Sequence, residues 1–160
     1  MLSEMLVCIS VGSYKEALTR GKIYEVLDEE PEKEQVKIRG DNNRTRWYRK
    51  YYFDDPSCSV PVVESWKFDD TIQDDSENSL EQIEITITFN SGEKRWCWIC
   101  TKAGLIDNIE RNMDGCVLFF ENLIVVKNLT QSVVNEAIYE LDQQNQIIGA
   151  TRPLNSLGMI

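Results

Sequence analysis

The sequence predicts a β-rich protein in two parts: a small β-barrel over residues 1–55, followed by an acidic α+β domain over residues 56–160. Three observations support this prediction. The first third of the chain consists of short strand-like segments separated by turn residues, with no helical periodicity. The rest contains two stretches of helical periodicity among further strands. Hydrophobic residues make up 42% of the chain, which is enough for a packed core.

Four or five short strands are predicted in the first part. "MLVCISV" is an apolar opening strand, and Gly21 marks a turn before a strand over residues 23–27. "QVKIRG" places Val36 and Ile38 on one face and basic side chains on the other. Pro31 and "GDNNR" mark the turns on either side, and "TRWYRKYYF" returns as a strand. Short strands at this spacing are typical of a small barrel.

The segments "LTRGKIYEVL", "QVKIRGDNNRTRWY" and "RKYYF" resemble, in this order, an SH3-like barrel of the bacterial kind. SH3 domains end in a short helical turn and a final strand, and Tyr48 and Tyr52 match an apolar residue and a tyrosine of that ending. Arg49 stands where the family has a proline between them, and the acidic-aromatic opening of peptide-binding SH3 domains is missing. The resemblance covers the N-terminal third only. It implies a barrel fold without a catalytic residue.

The second part begins after "DDPSCSVP", a polar connection over residues 54–61, and includes an acidic loop over residues 69–79. "VVESWKF", "QIEITITF" and "KRWCWIC" are predicted strands, the last two joined by a hairpin turn at Gly92. The alternation in "QIEITITF" places four apolar residues on one face: Ile83, Ile85, Ile87 and Phe89.

Two helices follow, each with a threonine at its N-cap. Thr101 caps "KAGLIDNIERNM", whose predicted buried stripe is Leu105, Ile106, Ile109 and Met113. Thr130 caps the second helix, whose apolar face is Val133, Val134, Ala137, Ile138 and Leu141. "CVLFFENLIVV" is one bent strand or two short ones, and "QIIGATRP" is a last strand. The resulting order is β-β-β-α-β-α-β, with helices on one face of a mostly antiparallel sheet.

The C-x-x-C pair, Cys97 and Cys100, lies in the strand "KRWCWIC". Side chains three residues apart in a strand point to opposite faces, so these thiols can neither share a metal ion nor form a disulfide without a change of backbone. A redox pair of the thioredoxin type begins a helix, whereas Cys97 lies four residues before the cap at Thr101. We therefore expect both cysteines to be structural.

Other catalytic chemistry has little support. The chain has no histidine, which removes the commonest general base and metal ligand, and it has no glycine-rich phosphate loop. One acidic cluster does not fit the spacing of a calcium loop: Asp69, Asp70, Asp74, Asp75 and Glu77. We expect these carboxylates to be solvated, and an enzyme that uses them is the least favoured of three hypotheses. The prediction is a protein that is not an enzyme, with no catalytic residue, no metal site and no cofactor.

The best candidate for a functional surface is the basic and aromatic segment "RTRWYRKYYF", residues 44–53. The partner-binding residues predicted within it are Arg44, Arg46, Tyr48, Arg49 and Tyr52. Arginine and tyrosine are enriched in protein interfaces, and the same residues can also bind single-stranded nucleic acid. A third interpretation gives the segment no role beyond the barrel, with its aromatic side chains in the core and its basic side chains in water.

Charge and targeting signals bear on the partner and the location. The net charge is −10, which repels nucleic acid and lipid and suits a protein partner, including a basic one. We expect an interaction protein, in one version an immunity-type protein that masks a basic toxin; the alternative is a nucleic-acid-associated regulator that binds through residues 44–53. "MLSEMLVCIS" lacks the features of a secretory signal, and no apolar stretch suits a membrane span, so we expect a bacterial, cytosolic protein with no membrane contact. The oligomeric state is not predicted.

Overall fold

The computed structural model describes residues 2–69 and 82–154, which form a β-rich α+β fold with two α-helices and mainly antiparallel sheets. The chain divides into two compact units. The first consists of Met1–Val62 together with Leu141–Asn145, and the second consists of Val63–Glu140 and Gln146–Ile160. The division into domains at residues 55 and 56 stays a prediction. The predicted acidic loop lies outside the described residues, except for Asp69.

The first unit contains one five-stranded antiparallel sheet in the order β4-β3-β2-β1-β5. Its strands are β1 (Met5–Cys8), β2 (Ile23–Glu30), β3 (Gln35–Arg39), β4 (Thr45–Arg49) and β5 (Phe53–Asp54). A 3-10 helix, Lys50–Tyr52, separates β4 from β5. Because β5 pairs with β1 and β4 pairs only with β3 in the described part of the chain, the sheet does not close into the predicted barrel.

Alternation along the strands builds the core of this unit, as predicted. Val36, Ile38 and Tyr48 point inward and are at most 1% exposed. Other members of the core are Leu6, Cys8, Val11, Ala17, Leu18, Tyr24 and Phe53. The predicted turns hold as well, since Pro31 begins a 3-10 helix and Gly21 and Asn43 adopt positive φ angles of 85° and 63°.

The second unit has the predicted element order β-β-β-α-β-α-β. The strands are β6 (Val63–Phe68), β7 (Gln82–Phe89), β8 (Lys94–Cys100), β9 (Leu123–Val125) and β10 (Arg152–Pro153). The helices are α1 (Lys102–Asn112) and α2 (Gln131–Gln143), whose last turn falls in the first unit. The sheet order is β10-β8-β7-β6, with β9 also on β8; the β8–β9 pair is parallel and the others are antiparallel.

The apolar face predicted for β7 is confirmed, because Ile83, Ile85, Ile87 and Phe89 are at most 1% exposed. Both helix caps are also confirmed. Thr101 Oγ1 accepts from the Gly104 amide at 3.2 Å, and Thr130 Oγ1 accepts from the Val133 amide at 3.3 Å. Neither α1 nor α2 has the length and apolar character needed to cross a bilayer.

Three local predictions need correction. The stripe of α1 is covered only in part, since Ile106 and Met113 are 45% and 43% exposed. In "CVLFFENLIVV" only Leu123–Val125 forms a strand. In "QIIGATRP" only Arg152–Pro153 forms a strand, because the preceding residues are folded into turns. The Arg95 side chain donates to the carbonyl of Ile148 in these turns.

Candidate functional site

The C-x-x-C pair lies on β8, and its side chains point to opposite faces, as predicted. Cys97 pairs with Ile85 of β7 on the buried apolar face, whereas Cys100 lies on the other face with Trp96 and Trp98. Both thiols are free and have no solvent exposure. Burial, helped by the carboxylates of Asp69 and Glu84, raises the pKa of Cys97 to about 12. Burial also raises the pKa of Cys100.

These two cysteines are therefore poor nucleophiles, since the thiolate is the reactive form. No group of three histidine, cysteine, aspartate or glutamate side chains in the described ranges is arranged to hold a metal ion.

Thiol labelling provides a direct measure of this burial. Of the five cysteines, Cys58 and Cys116 are exposed, and Cys8, Cys97 and Cys100 are buried. We expect a chromogenic disulfide reagent at pH 8 to titrate the two exposed thiols rapidly in the native protein and all five in denaturant. Rapid native reaction of Cys97 or Cys100, identified by mass spectrometry of the labelled peptides, would contradict the burial.

The raised pKa of Cys97 predicts a pH dependence of stability. An unfolded thiol ionises near pH 8.5, whereas folded Cys97 keeps its proton to about pH 12. Between these values the unfolded chain binds fewer protons than the folded one, so the free energy of unfolding falls as pH rises. Urea unfolding at pH 8 and pH 10 should show a smaller decrease for Cys97→Ala than for the native protein. Equal decreases would be evidence against this assignment.

The five predicted partner-binding residues lie at or beside β4, but not on one surface. Arg44 precedes the strand, and its side chain is exposed, as are those of Arg46 and Arg49. Tyr48 has no solvent exposure, and its ring packs edge-on against that of Tyr14 at 4.9 Å. Tyr52 is half-buried and contacts the same Tyr14 ring. The arginines are therefore accessible, whereas Tyr48 belongs to the core.

The outer edge of β4 follows from its hydrogen-bond pattern. The Gly40 amide donates to the Arg44 carbonyl at 3.0 Å, and the Lys50 amide donates to the Glu34 carbonyl at 2.8 Å. In an antiparallel pair such hydrogen-bonded positions alternate, so the main-chain groups of residues 46 and 48 point toward β3. Those of Thr45, Trp47 and Arg49 point away from it. No described residue accepts from or donates to these outward groups.

The side chains along this edge form what we call the β4 surface: Lys37, Arg44, Arg46, Trp47 and Arg49. Trp47 and Arg49 lie on the outer face of the sheet, and the Lys37 ammonium group lies 5.5 Å from the Trp47 ring centroid. Arg49 donates to the Lys33 carbonyl at 2.9 Å. The described ion pairs of the first unit involve other cations, namely Arg20, Lys22, Lys33 and Lys50. The four cations of the β4 surface therefore form no ion pair with a described carboxylate, although Asp28 of β2 lies opposite Lys37 in the strand register.

The turn that leads into β4 is fixed by Asp41. Its carboxylate accepts from Thr19 Oγ1 at 2.7 Å, from Lys22 Nζ at 2.5 Å and from the Tyr24 hydroxyl at 3.0 Å. Burial raises the pKa of Asp41, but these three donors outweigh it and hold the pKa below its ordinary value. Asp41 therefore remains ionised and anchors the turn before β4 against residues 19–24. A groove of about 510 Å³ lies beside it, lined in part by the half-exposed Ile23 and Leu27.

The five predicted residues do not include Trp47, which lies within the candidate segment 44–53, or Lys37, which lies outside it. They do include Tyr48, whose side chain is buried. Strand parity contained the signal, because residues 45, 47 and 49 share one face and residues 46 and 48 share the other. The cross-strand neighbour of Trp47 required the β3–β4 register, which only the structure supplies.

The chain matches no protein-family model, no curated protein and no solved structure.

Proposed function

We propose that this chain is a non-enzymatic, cytosolic interaction protein whose first unit is an SH3-like module that binds another protein through the β4 surface. The strand order β4-β3-β2-β1-β5 and the 3-10 helix Lys50–Tyr52 before the last strand support the SH3-like assignment. Five free thiols fit a reducing compartment.

The observation that carries the proposal is that no described strand lies beside the outer edge of β4, while the cations along this edge form no ion pair with a described carboxylate. Edge strands present unpaired N–H and C=O groups, which is the usual starting point for pairing with another chain. Arginine and tryptophan are also the side chains that most often dominate protein interfaces. Arg44, Arg46, Trp47 and Arg49 lie together along this edge.

The sign of the charge selects the partner for this surface. The whole chain is acidic, which favours a basic partner in general, but the β4 surface is basic. A partner that binds here should present carboxylates, because opposite charges across an interface steer association and exclude other partners. A basic partner would have to bind elsewhere.

Nucleic acid is the second candidate for the same surface, since Arg44 and Arg46 are exposed cations next to an aromatic residue. Binding of single strands requires bases to stack on exposed aromatic faces. Trp47 is only partly exposed, and the Lys37 ammonium group lies over its ring. The β4 surface therefore suits a protein better than single-stranded DNA or RNA.

Charge reversal tests this function. The probe is a fluorescein-labelled octapeptide of alternating glutamate and valine, titrated into the full chain at 50 mM salt. We expect Arg44→Glu/Arg46→Glu to weaken its binding by at least about tenfold, because two attractive charges become repulsive. Lys102→Glu/Lys127→Glu, which changes the net charge equally at exposed positions of the second unit, should bind like the native protein.

Two results would overturn the proposal. One is that the native chain does not bind the octapeptide at millimolar concentration. The other is that a single-stranded DNA 20-mer binds the native chain more tightly than the peptide does, and that it binds the Arg44→Glu/Arg46→Glu variant only weakly. That result would establish the nucleic-acid alternative.

A further inference from the structure

We infer that the partner segment binds as an added β-strand: an extended, acidic stretch of polypeptide that pairs with the outer edge of β4 and becomes the sixth strand of the first sheet. This inference rests on the proposed function and specifies its partner and its mode of binding. Strand addition is an established way in which proteins capture extended peptides, with main-chain hydrogen bonds supplying affinity and side chains supplying specificity.

The main chain of β4 offers a complete template. Thr45, Trp47 and Arg49 each direct one N–H and one C=O group outward, as the alternation with β3 requires. At about 3.3 Å per residue, the three positions span about 13 Å of strand. A partner segment of five or six residues is long enough to pair with all of them.

The outer edge of β4 presents both hydrogen-bond donors and hydrogen-bond acceptors, and this discriminates between a peptide and an anion such as phosphate. Phosphate oxygens accept hydrogen bonds from outward N–H groups, but they leave the outward carbonyls of Thr45, Trp47 and Arg49 without donors. An extended polypeptide satisfies both kinds of group. The edge therefore favours a protein strand over nucleic acid on grounds independent of charge.

Side chains on both faces of the edge favour carboxylates in the added strand. Arg49 lies on the outer face, with Lys37 on the neighbouring strand, and Arg46 lies on the opposite face. Since successive residues of a strand alternate between faces, acidic residues on either face of the added strand meet an arginine. Trp47 provides an apolar contact between these cations.

The same arginines disfavour a second copy of this chain as the occupant. Pairing β4 with the β4 of another copy would bring Arg44, Arg46 and Arg49 of both chains into one edge. Like charges across a strand pair are destabilising, and charged edges are a common protection against self-association. The positive charges of the edge thus disfavour pairing with an identical strand and favour pairing with an acidic one.

Amide hydrogen exchange distinguishes this mode from contact through side chains alone. The experiment uses the ¹⁵N-labelled full chain with and without saturating glutamate–valine octapeptide. We expect the amides of Thr45, Trp47 and Arg49 to exchange at least about tenfold more slowly with peptide, because they gain acceptors. The amides of Arg46 and Tyr48, already directed at β3, should change little.

A pair of variants at Thr45 tests the same point through affinity. The outward amide of Thr45 is not used by β3, so proline at this edge position removes the outward donor without removing a hydrogen bond between β3 and β4. We expect Thr45→Pro to weaken peptide binding by about fivefold or more relative to Thr45→Ala, with the amide spectrum of β3 unchanged.

The outcomes separate the two proposals. Strand addition would be overturned, and the proposed function retained, by one combination of results. In that combination the peptide binding depends on Arg44 and Arg46, but the peptide protects no outward amide and binds equally to the two Thr45 variants. An absence of peptide binding would overturn both. Protection of the same amides that grows with protein concentration without peptide would assign the edge to a second copy.

Discussion

Replacement of Asp142 by alanine is expected to lower the free energy of unfolding of the first unit by about 3–5 kcal/mol. Asp142 forms an ion pair with Arg20 at 3.1 Å, and the two side chains are only 4% and 2% exposed. Removal of the carboxylate leaves a buried guanidinium group without its counter-charge. Desolvation of that group is costly, and burial already lowers the pKa of Arg20.

Arg20 is also the centre of a network that holds residues 141–145 in the first unit. Its guanidinium group donates to the carbonyls of Ile9 and Pro61 at 3.0 and 2.5 Å, and to Asn145 Oδ1 at 2.9 Å. Its backbone amide donates to Gln143 Oε1 at 2.9 Å. Loss of the ion pair should therefore loosen this segment as well as destabilise the sheet.

The measurement is urea unfolding of Asp142→Ala, with amide exchange of Ile38 as the local reporter of the first unit. Asn145→Ala is the control, because it removes a neutral hydrogen-bond partner of the same guanidinium group at an exposed residue. It should cost about 1–2 kcal/mol, since alanine at the φ of 56° also adds backbone strain. A loss below about 1 kcal/mol for Asp142→Ala would show that the Arg20 charge is not desolvated as described.

Arg95→Met is expected to destabilise the second unit by about 3 kcal/mol. Arg95 is 9% exposed and lies on β8. It donates to Thr151 Oγ1 at 2.8 Å, to the Thr151 carbonyl at 2.9 Å and to the Ile148 carbonyl at 3.1 Å. Methionine fills similar space but cannot donate to the two buried Thr151 oxygens, and each lost donor costs about 1–3 kcal/mol before relaxation. The Ile148 carbonyl is part-buried and still accepts from the Thr151 amide at 3.4 Å, so its loss costs less.

Lys94→Met provides the comparison, since Lys94 is the exposed neighbour on the same strand. That substitution should change stability by no more than about 0.5 kcal/mol. Amide exchange of residues 147–151 is the second readout, because Arg95 holds this segment by its carbonyls. Equal stability of the two variants would refute the anchoring role of Arg95.

The elements that the sequence predicted well are those whose cause is local. Period-two alternation identified the buried face of β7, and threonine caps located both helix starts. Strand parity alone established that Cys97 and Cys100 face apart. The same rule, applied to residues 44–49, places Tyr48 and Trp47 on opposite faces, so the sequence could have predicted that only one of these two side chains faces the core.

Other features depend on residues that are distant in the sequence. Arg20 and Arg95 resemble ordinary surface cations in the sequence, yet their acceptors lie 122 and 56 residues away. Ile106 and Met113 have the spacing of a buried stripe, but whether a helix face is covered depends on what packs against it.

Residue spacing was enough to predict the order of strands and helices in the second unit, the opposite directions of Cys97 and Cys100 and the basic character of residues 44–49. Backbone geometry imposes these features through residue spacing alone. Three features required the folded structure: the position of β4 at the edge of the described sheet, the outward direction of the main-chain groups of Thr45, Trp47 and Arg49, and the burial of Arg20 and Arg95. Strand order and burial arise from contacts between segments far apart in the chain, which no local pattern encodes.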